Sequence, residues 1–299
     1  MNQIIVNKLR WISIAEPKEK DIQFLKSKLN IHPLILDEIL VPSDRSKVEK
    51  YDDYIFMVYH LPVYDVEHRT SKRAEIDIIA KKNILIAVTY ENLEPVLQFE
   101  RDLKKRLNKE IKTTAEMVYH LIEEAHNFSL RQLNHVEAKV NFVGDQLFRR
   151  QDRKLLEEIS HIKRDILDFT IIAVPQRAML ESLLSVGTKF WGEEMKIYFS
   201  DLLGDFLKVD YLLKNLRATV ESYSETISQL FEFKTSEVIR RFSILAFLGV
   251  PLILYATVLL QPKIDESVVQ TPGDYWIHMG VVAILVVILA VVFRKKGWL

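Results

Sequence analysis

Phe242–Leu260 reads FSILAFLGVPLILYATVLL, and Tyr275–Phe293 reads YWIHMGVVAILVVILAVVF. Neither stretch holds an aspartate, glutamate, lysine or arginine. Each is about 19 residues long, which at ~1.5 Å per residue gives roughly 28 Å, close to the ~30 Å hydrocarbon core of a bilayer. A small soluble domain has no core large enough to hide two such runs. In lipid every backbone amide must find its partner within the protein, so both runs are predicted as transmembrane helices, joined by a loop over 261–274.

The flanks set the orientation. Arg240 and Arg241 precede the first span, and Arg294, Lys295 and Lys296 follow the second. The loop carries Lys263 against Asp265, Glu266 and Asp274. Lysine and arginine are retained on the cytoplasmic side, so both chain ends are expected inside and the short acidic loop outside. Tyr275, Trp276 and Trp298 stand at the ends of the second span, where interfacial aromatics belong.

The remaining four fifths carries nearly all the charge. Over the whole chain 41 basic and 41 acidic residues balance, which gives no support to nucleic-acid binding. Cysteine is absent, which excludes disulfides and thiolate metal sites and suits a domain in a reducing cytoplasm. The charged stretch Met1–Lys20 is not read as a signal peptide. No nucleophile motif, phosphate loop or dinucleotide fingerprint is present, so an enzyme is not expected.

Residues 1–107 read as a cytoplasmic α/β domain. Trp11–Ile14, Tyr54–Val63, Glu75–Ala80 and Ile84–Thr89 are β-branched or aromatic runs, and Pro33–Leu40 is a helix opened by proline. Residues 108–241 read as long helices ending in a stalk, and 242–299 as the membrane part, which makes the chain α+β. Leu133, Val136, Val140, Val143 and Leu147 recur at spacings of three and four. A second helix covers about Asp152–Leu184, with a kink or break expected at Pro175. Phe199, Leu202, Phe206, Val209, Leu213, Leu216, Val220, Tyr223, Ile227 and Leu230 then form an unbroken heptad seam. Between Gly204 and Gly249 there is neither glycine nor proline, so one helix is predicted from about Tyr198 through the first span. A break at Lys234–Glu237, where the seam turns polar, is the alternative.

In this order the landmarks resemble a CorA-type magnesium transporter over nearly the whole chain. They are the segment His32–Leu40, then Arg45 with Lys47-Val48-Glu49 and Tyr51–Phe56, then Tyr198-Phe199-Ser200-Asp201. Glu237-Val238-Ile239, Pro251-Leu252 and the tail Lys295–Leu299 complete the series. The resemblance implies a homopentamer in the cell (inner) membrane, contacting lipid. The first span would line the pore and a cytoplasmic funnel of stalk helices would lead to it. It implies divalent cations, Mg2+ foremost, as both transported and regulatory ions.

The chain departs from that pattern at the pore mouth. The family's Gly-Met-Asn motif would fall on Leu260, Gln261 and Pro262, and is missing. The implied pore stripe is Ser236, Ile239, Phe242, Ala246, Val250, Ile253, Thr257 and Gln261, all on one helix face. Only Ser236, Thr257 and Gln261 offer polar atoms. Mg2+ sheds water reluctantly, so a pore should present oxygen acceptors to the hydrated ion. The Gln261 carbonyl and backbone carbonyls near Pro262 are the candidates, and the apolar stretch between Phe242 and Ile253 is a candidate dewetting gate. The same apolar stripe reads equally as plain bundle packing. Asp265, Glu266 and Asp274 read either as an acidic collar that concentrates cations or as an ordinary solvated loop.

Glu38 and Asp201 fall on the family's intersubunit regulatory cation site, with glutamate replacing the usual aspartate at the first position. As two solvated helix carboxylates they would need no ligand. His120, His126, His135 and His161 do not share a helix face and make no convincing zinc set. Three functions follow: Mg2+ transport, transport of zinc or another transition metal, and a non-conducting cation sensor or scaffold.

Overall fold

The computed structural model describes residues 1–105, 111–149, 152–259 and 272–297. It divides into two compact units, Met1–Ser224 and Glu225–Leu299. The fold is mixed α+β, with an α/β portion first, a long helix and a C-terminal apolar helix.

The first unit is built on a six-stranded sheet in the order β1-β2-β6-β5-β4-β3. Its strands are β1 (Asn2–Val6), β2 (Leu9–Ala15), β3 (Lys47–Lys50), β4 (Tyr54–Asp65), β5 (Thr70–Lys81) and β6 (Ile84–Thr89). Only the β2–β6 pair is parallel. The four predicted strands are β2, β4, β5 and β6, the inner strands of the sheet. The two edges, β1 and β3, were not legible, since NQIIV and KVEK are short and partly polar. Short strands, in β3 also charged, are what an edge needs to resist pairing with another sheet.

One face of the sheet is covered by α1 (Glu19–Leu29) and α2 (Pro33–Glu38), whose Leu25, Leu29, Ile35 and Leu36 join Ile12, Phe56, Val58, Ile79 and Val88 in one core. Helix α3 (Glu94–Lys104) is fastened by Glu100, which accepts hydrogen bonds from Asn2, Trp11 and Ser13. Helix α4 (Thr114–Gln146) starts in a capping box. Thr113 Oγ1 accepts from the Glu116 N–H, and the Glu116 carboxylate accepts from the Thr113 N–H. The seam residues Leu133, Val136, Val140 and Val143 are all buried.

Helix α5 (Arg153–Trp191) packs along β3, β4 and β5. Buried Asp165 on α5 accepts from Ser71 of β5 at 2.8 Å and from Lys139 of α4 at 3.2 Å, locking three elements together. Of the kink or break expected at Pro175, the break does not occur, since α5 runs through it. The proline leaves the Ile171 carbonyl without its amide, and the Gln176 side-chain amide donates to the neighbouring Ile172 carbonyl at 3.1 Å. By length and composition α5 is apolar enough to cross a membrane; Ile166, Phe169, Ile172 and Met179 are buried, while Leu167, Ile171 and Val174 are exposed.

Helix α6 (Lys196–Leu259) follows a 3-10 turn at Glu193–Met195 and continues through the polar stretch Lys234–Glu237 without a break. Phe199, Leu202, Phe206, Val209, Leu213, Leu216, Val220 and Ile227 of its seam are buried. The second apolar helix, α7, spans Pro272–Lys295. It starts inside the expected loop, because proline is preorganised for the first helical turn, and Asp274 therefore lies in that turn. Both α6 and α7 contain runs long and apolar enough to span a bilayer, and those runs are exposed.

Helices α5 and α6 approach closely at Gly187. A Cβ there would stand 2.7 Å from Cε2 of Phe199, a fully buried ring edged by Trp191. Gly187→Ala gains helix propensity but overpacks a ring that cannot withdraw, so the protein should lose about 1–2 kcal/mol of stability. Thermal unfolding of the detergent-solubilised protein checks this, and a rise in Tm would contradict it.

Candidate functional site

The implied pore positions lie on α6 in the second unit. Ser236, Ile239, Phe242, Ala246, Val250, Ile253 and Thr257 are all exposed, Phe242 to 69% and Ile253 to 66%. The less exposed positions over the same stretch are Ile244, Leu248, Pro251 and Tyr255, roughly opposite on the helix. That second face carries the contact to α7, where the Tyr255 ring stacks on His278 with centroids 6.4 Å apart. Thr257 Oγ1 donates to the Ile253 carbonyl at 2.7 Å, which uses its hydrogen within the helix and leaves the oxygen free to accept. Gln261, Asp265 and Glu266 lie outside the described residues.

The basic flanks sit where a helix tolerates them. Arg241 pairs with Glu237 one turn earlier at 2.6 Å, and Arg240 is exposed. Arg294 and Lys295 occupy the last turn of α7, with Lys296 just beyond, where positive charge complements the helix dipole.

Glu38 closes α2, whose start is capped by His32 Nδ1 accepting from the Leu34 N–H at 3.2 Å. Its carboxylate is held by the Lys47 ammonium at 2.9 Å, and the same ammonium reaches Glu49 at 3.0 Å. Burial pulls the Lys47 pKa down, but the hydrogen bonds to Glu38 and Glu49 outweigh it and leave it raised. A cation arriving at Glu38 must therefore displace an internal one.

Asp201 lies in the first turns of α6. It accepts from the Tyr119 hydroxyl at 2.8 Å, and that hydroxyl also approaches Glu123 at 3.4 Å. The Tyr119 ring packs edge-on against Tyr198 at 5.3 Å. Burial and then the hydrogen bond to Asp201 raise the tyrosine pKa. Asp205, one turn further, binds Lys208 at 2.6 Å. Glu123, Asp201 and Asp205 thus form an acidic face across α4 and α6. The sequence reading missed Tyr119 and Glu123, although their spacing of four in an amphipathic helix was visible. Within the chain no hydrogen bond or ion pair joins Glu38 to Asp201. Among the described residues no three histidine, aspartate or glutamate side chains converge on one point.

The sequence matches the family described as CorA-like Mg2+ transporter protein over residues 6–295. The chain belongs to that family. It is 23% identical over 293 residues to the cobalt/magnesium transport protein CorA of Thermotoga maritima, covering 97% of this chain and 83% of that one. Its fold superposes on the complete structure of the CorA magnesium transporter from Methanocaldococcus jannaschii with a TM-score of 0.84 at 19% identity, over 100% of this chain and 95% of that one. The full-length CmaX protein matches with a TM-score of 0.76 at 15% identity, over 97% and 89%.

Within this CorA-like fold one histidine is held apart from any metal role. His126 is 2% exposed, packed between the Tyr59 and Phe206 rings, and neither of its ring nitrogens has a hydrogen-bond partner. Burial lowers its pKa to about 4, against weaker opposing pulls from Asp205 and Glu123. The unfolded chain takes up this proton near pH 6.5 and the folded one only near 4, so stability is lost as pH falls through that window. At ~1.4 kcal/mol per pH unit the loss is about 3 kcal/mol. His126→Leu should flatten this part of the stability–pH profile, read by denaturant unfolding at successive pH values. A parallel profile in the variant would show that His126 is not its source.

Proposed function

We propose that this chain assembles as a homopentameric, channel-like pore that passes divalent cations, Mg2+ first, with α6 lining the axis and α7 outside. The observation that carries the reading is the exposed stripe from Ser236 to Thr257, on the face of α6 away from Tyr255 and its α7 contact. Five copies turned inward would give that stripe a common lumen and leave α7 to lipid. The similarity to proteins named as cobalt/magnesium and magnesium transporters supports the same reading. Both chain ends are placed on the cytoplasmic side of the inner membrane, by the basic residues Arg240, Arg241, Arg294, Lys295 and Lys296.

A hydrated Mg2+ presents water hydrogens outward, so its path needs acceptors. Thr257 supplies a ring of hydroxyl oxygens, and Gln261 is assigned the outer ring of amide carbonyls. Asp265, Glu266 and Asp274 would raise cation concentration at the mouth. Phe242 and Ile253 make apolar rings that close the path by dewetting when narrowed. Asp201, with Glu123 and Asp205 nearby, is the stronger half of the regulatory site. Glu38 of a neighbouring subunit is the weaker half, because Lys47 already neutralises it.

Uptake of magnesium, cobalt and nickel into liposomes holding the purified protein tests the pore. Flux is expected to discriminate poorly between these ions, since a neutral glutamine ring binds weakly, and Gln261→Leu should reduce it further. No uptake into magnesium-free liposomes would instead favour a non-conducting sensor or scaffold. Asp201→Ala should shrink the thermal stabilisation given by millimolar Mg2+, and an equal gain in variant and parent would remove Asp201 from the regulatory site.

A further inference from the structure

Two carboxylates lie buried side by side in the sheet, away from the pore stripe and from Asp201. Glu75 and Asp77 are alternate residues of β5, 4% and 1% exposed. Asp77 pairs in register with Val58 and Val88, and so points into the core between the sheet and α1–α2. Glu75 is well supplied with donors: the Ser43 N–H at 2.9 and 2.8 Å from its two oxygens, and His60 Nε2 at 3.0 Å. Asp77 is not. Its Oδ2 accepts from the Tyr90 hydroxyl at 2.7 Å, but its buried Oδ1 accepts from no donor. The two carboxyls share one buried face of β5 two residues apart, so they repel each other unless one is neutralised or something positive sits between them.

We propose that Glu75 and Asp77 form a proton-binding carboxyl pair, in which Asp77 carries the proton and Glu75, the charged partner, fastens the loop after α2 through the Ser43 N–H. The proton turns an orphan acceptor into a donor and leaves a single buried charge, already satisfied by Ser43 and His60. A metal ion fits less well: His60 and Glu38 stand near the pair, but among the described residues no three histidine, aspartate or glutamate side chains are placed to hold one ion. The surroundings agree. Around the pair stand His60 from β4, Tyr90 after β6, Glu38 from α2 and, through Glu38, Lys47 from β3. The residues packed on the same face from α1 and α2 are the apolar Leu25, Leu29, Ile35, Leu36 and Ile39. Burial, and then repulsion from Glu75, push the Asp77 pKa up to about 8. Losing the proton places two like charges in a dry interior, and the strain falls on the partner whose donors sit in a loop. The Ser43 loop, and α2 with it, is therefore released as pH rises through this range. The inference stands whether or not the pore conducts.

Infrared difference spectroscopy of the full-length protein in detergent, titrated from about pH 6 to about pH 9, reads the proton directly. A protonated-carboxyl stretch should disappear with a midpoint near 8 and be missing in Asp77→Asn. Tyr90→Phe should move the midpoint upward, because it removes a donor to the ionised form. Hydrogen exchange of the Ser43 amide, corrected for its intrinsic pH dependence, should quicken over the same range in the parent. If Asp77→Asn fails to fold, the parent titration and Tyr90→Phe still decide. A parent without a titrating band, a band that survives Asp77→Asn, or an unmoved or lowered midpoint in Tyr90→Phe would each overturn the pair. So would loss of the band at neutral pH on adding Mg2+, which would make the ligand a metal ion.

Discussion

The passage of the chain from a packed domain to an apolar membrane segment depends on α6 being one helix. Its first part is held by a buried heptad seam, and its last part by the rule that backbone in lipid must bond to itself. Between Gly204 and Gly249 the sequence supplies no residue that breaks a helix. The apolar groups on α6 therefore serve two solvents in succession. Phe199 through Val220 are buried within the first unit, whereas Phe242 and Ile253 are exposed, as residues facing lipid would be. The rest of the first unit is arranged to hold the seam, with Asp165 tying α4, α5 and β5 and Gly187 letting the Phe199 ring sit close to α5.

The elements that could be read from sequence were those whose pattern is set by burial. The inner strands and the α4 and α6 seams show it clearly, since each is apolar at a fixed period. Elements stabilised by long-range polar contacts were missed. Strand β1 depends on pairing with β2 and on the Asn2–Glu100 hydrogen bond, made 98 residues away in the chain. Helix α5 continues through Pro175, where Gln176 ties it to Ser46, 130 residues distant, a contact that no local pattern announces.

The functional residues divide in the same way. The proposed pore stripe came from the family resemblance and helical spacing, and its described residues are exposed along one face of α6. The partners of Glu38 and Asp201 were not legible, because Lys47 and Tyr119 reach them through tertiary packing. The carboxyl pair on β5 looked like ordinary alternation, and only burial on both sides of the strand makes its charges costly.

Pro251 has a mechanical meaning. Helix α6 runs through it, yet a proline cannot donate to the carbonyl four residues back, here that of Phe247. A rod missing one rung is less stiff at that level than above or below it. Bending moment applied along α6 therefore converts into angle at Pro251 first, between the apolar rings of Val250 and Ile253 in the proposed lumen. In the proposed pore the proline would make α6 a lever with its fulcrum in the apolar zone, where a small tilt would change the width available to water.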